Sequence, residues 1–151
     1  MYKRQDVKTA NPAILVPLFD IIRSHRAAER VLLTSFWPEQ HARFKERNYE
    51  GPLGISKRGV ATLLYAPGPF AKALLSRRGD HLPDRVQVPV AHERWRFDTA
   101  RFVERCHRAG LRVDFWVIND VDTAKHLLNI GADGIMTDSP TSIAPAFHEL
   151  R

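Results

Sequence analysis

The side chains able to do chemistry in this sequence fall at the ends of apolar runs. Asp6 and Lys8 flank Val7 in a short extended stretch, which sets a carboxylate and an ammonium on one side of the chain. A carboxylate oxygen suits a hard cation such as Mg²⁺ or Ca²⁺, but one carboxylate does not make a metal site. Lys8 reads in two ways, as a cation beside an anionic ligand or as a solvated lysine. His92 follows the run Val86 to Val90 and is either an anion contact or a surface histidine. Ser35-Phe36 and Asn119-Asp120 each end an apolar run, and Asn-Asp is also good turn and cap chemistry. Cys106 is the single cysteine, so no internal disulfide is possible, and its helical setting makes it half-buried and inert.

The composition limits what these residues can serve. The chain has 151 residues, 44% hydrophobic and 26% charged, which is enough for one cored domain and too few for two ordinary ones. Its net charge of +6 allows a phosphate-bearing substrate, an anionic surface or nucleic acid. The arginines are scattered, with no dense basic arm interleaved with aromatics, so no nucleic-acid partner is expected. The apolar runs fall short of the roughly 20 residues of a membrane helix, and no signal-peptide core follows Met1. A cytoplasmic location is expected.

Alternating strands and helices must position the candidates. The pattern gives a helix after Asn11-Pro12 that carries Leu15, Phe19 and Ile22 and that Pro17 kinks or delays. It then gives a buried strand at Val31 to Phe36, a polar helix from Pro38 to Arg47 and a short strand from Pro52 to Ser56. A helical stretch broken at Pro67-Gly68-Pro69 and a turn from Gly79 to Pro83 follow. Val86 to Val90 is the next strand. Asp98 is the expected cap of the helix that carries Phe102, Val103 and Cys106, and Gly110 its end. Val113 to Asn119 is a strand with Asp114, Trp116 and Ile118 on one face. Asp120 or Asp122 caps the next helix, Gly134 to Asp138 is the last strand, and Thr141 or Ser142 opens a final helix. Roughly six βα units with right-handed crossovers make a parallel α/β fold. There is no Gly-rich phosphate loop.

The last third carries a specific pattern. Ala109-Gly110-Leu111-Arg112-Val113-Asp114-Phe115-Trp116-Val117-Ile118-Asn119-Asp120 is followed by Leu127-Leu128. Gly131-Ala132-Asp133-Gly134-Ile135-Met136-Thr137-Asp138-Ser139-Pro140 comes next. This resembles the closing signature of the glycerophosphodiester phosphodiesterases, an aromatic strand leaving through Asn-Asp and then a Gly-Asp-Gly to Thr-Asp strand. Ser35-Phe36 resembles the family's Ser-Phe on its fourth strand, and Asp6-x-Lys8 its Glu-x-Lys on the third. The resemblance thus covers family strands three to eight and implies an incomplete TIM-type (β/α) barrel. Residues 1–151 are then a single partial domain.

That resemblance implies metal-dependent hydrolysis of glycerophosphodiesters to glycerol 3-phosphate and an alcohol, in glycerophospholipid metabolism. It implies Asp6 as a ligand of a divalent cation, Mg or Ca, and Lys8 as a catalytic cation beside the phosphate. Ser35, Phe36, His92, Trp116 and Asn119 become substrate-binding, with Trp116 against the alcohol part. The family's His-Arg-Gly, Glu-x-Asp and His-Asp motifs, which carry the acid–base histidines and the other metal carboxylates, do not occur in this sequence. His25-Arg26 is followed by Ala27 and ends a helix. The chain is therefore expected to be truncated and weak or inactive alone, with an open edge prone to self-association or a complementing N-terminal half. The alternative is a non-catalytic barrel remnant that binds phosphate-bearing ligands or a partner protein.

Overall fold

The computed structural model describes residues 3–66, 68–76 and 84–148. They form two compact units, residues 1–84 and 85–151.

In the first unit, β1 (Lys3–Asp6) pairs in parallel with β2 (Val31–Thr34), Lys3 opposite Val31 and Asp6 opposite Thr34. Between them Pro12–Ile14 forms a single 3₁₀ turn, capped by the Asn11 side chain. The helix α1 (Leu15–Ser24) begins only after it. Pro17 therefore falls in the first turn of α1, where its missing N–H has no partner to lose. Of the two expected effects of this proline, delay is the observed one. Leu15, Phe19 and Ile22 form the buried stripe of α1 at helical spacing. They pack with Val7, Val31, Leu33, Phe44, Tyr49 and Leu53. Tyr49 meets Phe19 edge-on at 5.5 Å, and its hydroxyl donates to the carbonyls of Val31 and Ala28.

Helices α2 (Pro38–Glu46), α3 (Lys57–Tyr65) and α4 (Gly68–Ser76) complete this unit. The strand expected from Pro52 to Ser56 reduces to isolated bridging at Leu53 and Gly54, with Leu33 parallel to Leu53 through Leu33 N to Pro52 O and Gly54 N to Leu33 O. The flanking Pro52 and Gly54 limit the ladder that this segment can build. The turn expected from Gly79 to Pro83 lies outside the described residues.

The second unit is a parallel sheet in the order β3 (Arg85–Val88), β6 (Arg112–Phe115), β7 (Gly134–Ile135). Arg85 stands opposite Arg112, and Asp114 opposite Gly134. A hairpin missed by the sequence pattern, β4 (Ala91–His92) with β5 (Trp95–Arg96), follows β3. Its turn holds Glu93 at φ 53° without the glycine or asparagine that usually marks such a turn. Helix α5 (Ala100–Arg108) is capped by Thr99, whose hydroxyl accepts from Phe102 N. The expected cap, Asp98, instead pairs with Arg96. Helix α6 (Val121–Asn129) is capped by Asp120, which accepts from Thr123 N at 2.7 Å. Gly110 and Gly131 leave α5 and α6 at φ 80° and 97°, where a Cβ would be strained. Helix α7 (Pro140–His148) packs on α6.

Parallel strands covered on both faces read apolar throughout. Val31, Leu32 and Leu33 are all buried, and so are Val113, Asp114 and Phe115. The buried carboxylate of Asp114 is met by the Arg85 guanidinium at 2.7 Å. The strands are shorter than the runs that suggest them, because regular pairing stops at Thr34, Val88 and Phe115.

Candidate functional site

In a parallel α/β fold the loops after the strands carry the chemistry. In the first unit Asp6 ends β1, and these loops hold Lys8, Ser35 and Phe36. The Lys8 ammonium lies 3.9 Å from the Asp6 carboxylate, and both remain solvent-accessible. Ser35 is buried. Its hydroxyl donates to Val7 O at 2.6 Å and accepts from Trp37 N at 3.2 Å, so it ties the ends of β1 and β2 together. The Trp37 indole donates to Lys8 O, Gln40 donates to Thr9 O and Asn11 O, and Arg43 donates to Ala10 O. Five consecutive carbonyls after β1 are thus held by side chains of residues 35–43.

His41 Nε2 stands 2.9 Å from Ser35 O and 3.2 Å from Ser35 N, and its tautomer decides which bond it makes. Burial pushes the imidazole pKa below its usual range. What this scaffold leaves open is a cleft of 410 Å³ lined by Ala10, Phe36, Trp37, Pro38, Glu39, Arg43 and Lys57. Phe36 is 64% exposed, and the Lys57 ammonium sits 5.2 Å from its ring centre. Trp37 meets Phe36 edge-on.

In the second unit the backbone closes the strand ends. Trp116 N donates to Val88 O, Met136 N to Phe115 O and Ile118 N to Met136 O. Asn119 Oδ1 accepts from Thr137 Oγ1 at 2.8 Å and from Asp138 N at 2.9 Å, which joins the two loops. Trp116 is 42% exposed, whereas Phe115 is sealed. His92 is exposed on the hairpin, 3.7 Å from Glu93.

The sequence model of the Glycerophosphoryl diester phosphodiesterase family matches residues 2–142. The chain belongs to this family. No curated protein matches the chain in sequence. Solved structures agree in fold. A protein assigned as a glycerophosphoryl diester phosphodiesterase in Silicibacter pomeroyi DSS-3 superposes with TM-score 0.71 at 16% identity, over 99% of this chain and 50% of that one. One so assigned in Agrobacterium tumefaciens C58 gives 0.68 at 19% identity, over 98% and 59%. Another glycerophosphodiester phosphodiesterase of that organism gives 0.64 at 16% identity, over 96% and 55%. The chain therefore spans 50–59% of the length of these relatives. Its fold class is the parallel α/β, TIM-type barrel of the phosphodiesterases, incomplete in this chain. Among the described residues it supplies five parallel strands and the bridged segment at Leu53.

Members of this family generally use a divalent cation. Among the described residues of this chain no three His, Cys, Asp or Glu side chains converge to hold one. Asp6 stands with Lys8 beside it, so these residues do not by themselves fit the cation. No helix among the described residues is long and apolar enough to cross a membrane. Cys106 is buried, which pushes its thiol pKa up to about 12 and leaves it inert at neutral pH. The residues that sequence reasoning missed are Trp37, His41 and Lys57. No periodicity links Phe36 to Lys57; pairing of Leu53 with Leu33 helps to bring the start of α3 near the end of β2.

Proposed function

We propose that this chain holds substrate for a glycerophosphodiester phosphodiesterase reaction. There, a water oxygen forms a bond to phosphorus, the bond to the alcohol oxygen breaks, and that oxygen takes a proton. Glycerol 3-phosphate and an alcohol leave. Lys8 neutralises phosphoryl charge, Trp116 and Phe36 offer apolar surface, and Asn119 and His92 supply polar contacts. Ser35 acts by fixing the loops that carry Phe36 and Lys8. Asp6 contributes one carboxylate toward a divalent cation. The observation that supports this reading is the family match over residues 2–142.

Acid–base catalysis contributes on the order of 10²–10⁴-fold per positioned group, and the motifs that carry those groups are not in this sequence. Residues 1–151 are then one part of a barrel domain, and the purified chain shows only trace hydrolysis of glycerophosphocholine and glycerophosphoglycerol. Robust turnover abolished by a chelator overturns the inactivity. The pairing of Asp6 with Lys8 favours the second reading, a remnant that binds phosphate-bearing ligands or a partner without turnover. Among the described residues β1 pairs with β2, and an incomplete barrel would leave an edge open to self-association. A monodisperse monomer at high concentration argues against that association. The proposed location is cytoplasmic, which fractionation of a tagged chain tests.

A further inference from the structure

We propose that Lys57 is a specificity-determining residue that selects glycerophosphodiesters with an uncharged polyol alcohol over those with a quaternary ammonium. This rests on the reading above, that the chain holds glycerophosphodiesters.

The cleft after β2 has the aromatic surface that a choline group would use, with Phe36 and Trp37 both open to solvent. A cation binds such a surface by lying over the ring face within about 6 Å of its centre. At Phe36, the more exposed of the two rings, that position is already taken on one face. The Lys57 ammonium stands 5.2 Å from the Phe36 ring centre, and Arg43 lines the same cleft. A trimethylammonium entering here meets two like charges and must displace the lysine from the ring. Glu39, the one carboxylate among the described lining residues, opposes two cations. A glycerol or similar polyol meets neither penalty, since ammonium and guanidinium groups donate hydrogen bonds to hydroxyl oxygens. Lys57 is held for this position by the fold. Ser56 caps α3 by accepting from Gly59 N at 3.3 Å, which makes Lys57 the first residue of the helix.

The test titrates the full chain with glycerophosphocholine and with glycerophosphoglycerol and follows the Trp37 indole N–H resonance, which reports from the cleft. The same titrations are run on Lys57→Met, which keeps the length and removes the charge. The wild-type chain is expected to bind glycerophosphoglycerol more tightly. Lys57→Met is expected to shift the ratio of the two affinities toward choline by about fivefold, from lost repulsion and a freed ring face. Equal weakening of both ligands, with the ratio unchanged, assigns Lys57 to the shared phosphate and overturns the proposal. Binding that leaves the Trp37 resonance unmoved overturns it as well, and the substrate-holding reading survives. Binding of neither ligand overturns both.

Discussion

Beyond β1 the backbone is tied by side chains, with Ser35, Trp37, Gln40 and Arg43 donating to the five carbonyls of residues 7–11. Beyond β6 it is tied mainly by other backbone, through Trp116 N, Ile118 N and Met136 N, with Asn119 as the polar side chain that joins the loops. The two units therefore expose different things. In the first, polar side chains are occupied in holding the loop, and an aromatic cleft with Lys57 remains. In the second, Trp116 and Val117 are left open beside a sealed Phe115. A residue's type at a strand end thus does not tell whether it faces a ligand or holds a loop. Ser35 and Asn119 are both expected substrate contacts, yet both have an oxygen engaged in the scaffold.

The sharpest test separates adjacent aromatics of the second unit. Phe115→Ala is expected to cost about 3–5 kcal/mol, as for a fully buried ring. Trp116→Ala is expected to cost less than about 2 kcal/mol, since much of its surface is already wet. Equal losses in denaturant melts would make Trp116 a core residue and erase the contrast. Next comes Asp114→Ala, which deprives the mostly buried Arg85 of a 2.7 Å partner and is expected to cost about 3 kcal/mol. Asp114→Asn keeps a hydrogen-bonding oxygen and is expected to lose less in the same melts.

A smaller effect compares the two ways of closing a strand end. Ser35→Ala removes a buried bond to Val7 O and an acceptor for Trp37 N, and is expected to cost about 1–2 kcal/mol. Asn119→Ala removes exposed bonds whose partners can turn to water, and is expected to cost less than about 1 kcal/mol. Amide exchange would show where each acts, with faster exchange at residues 7–11 after the first change. If Asn119→Ala proves the costlier, the loop of the second unit is held by its side chain after all.

The smallest effect is a pH dependence confined to the first unit. Burial lowers the pKa of His41 in the folded chain below the ordinary histidine value of 6.5. Below that value the unfolded chain takes up a proton that the folded one resists. The His41 contribution is therefore complete above pH 6.5 and is lost as pH falls through the folded pKa. Chemical melts at pH 7.5 and 5.5 should show a larger acid loss for the native chain than for His41→Gln. The same loss in both would place the acid sensitivity elsewhere.

Much of the fold was legible from the sequence because it depends on local pattern. The stripe of Leu15, Phe19 and Ile22 specifies one face of α1, and Gly110 and Gly131 mark the ends of α5 and α6 through a backbone conformation that glycine adopts freely. The aromatic strand and the Thr-Asp strand of the last third carried the family. Local pattern failed where pairing decides. Residues 52–56 form isolated bridging rather than a strand, and residues 91–96 form a hairpin without a turn signature. It also assigned the cap of α5 to Asp98, because either Asp98 or its neighbour Thr99 could accept from the first turn, and an ion pair with Arg96 decided between them.

The candidate site divides along the same line. The sequence by itself determined which residue types stand at the strand ends, from Asp6 and Lys8 to Trp116 and Asn119, because strand ends follow from hydrophobic runs. Only the tertiary structure decided that Ser35 is turned to Val7, that His41 is partly buried, and that Lys57 rests over Phe36. Those contacts join residues far apart in the chain or set by burial, and neither distance in space nor dielectric surroundings is written in the spacing of residues along it.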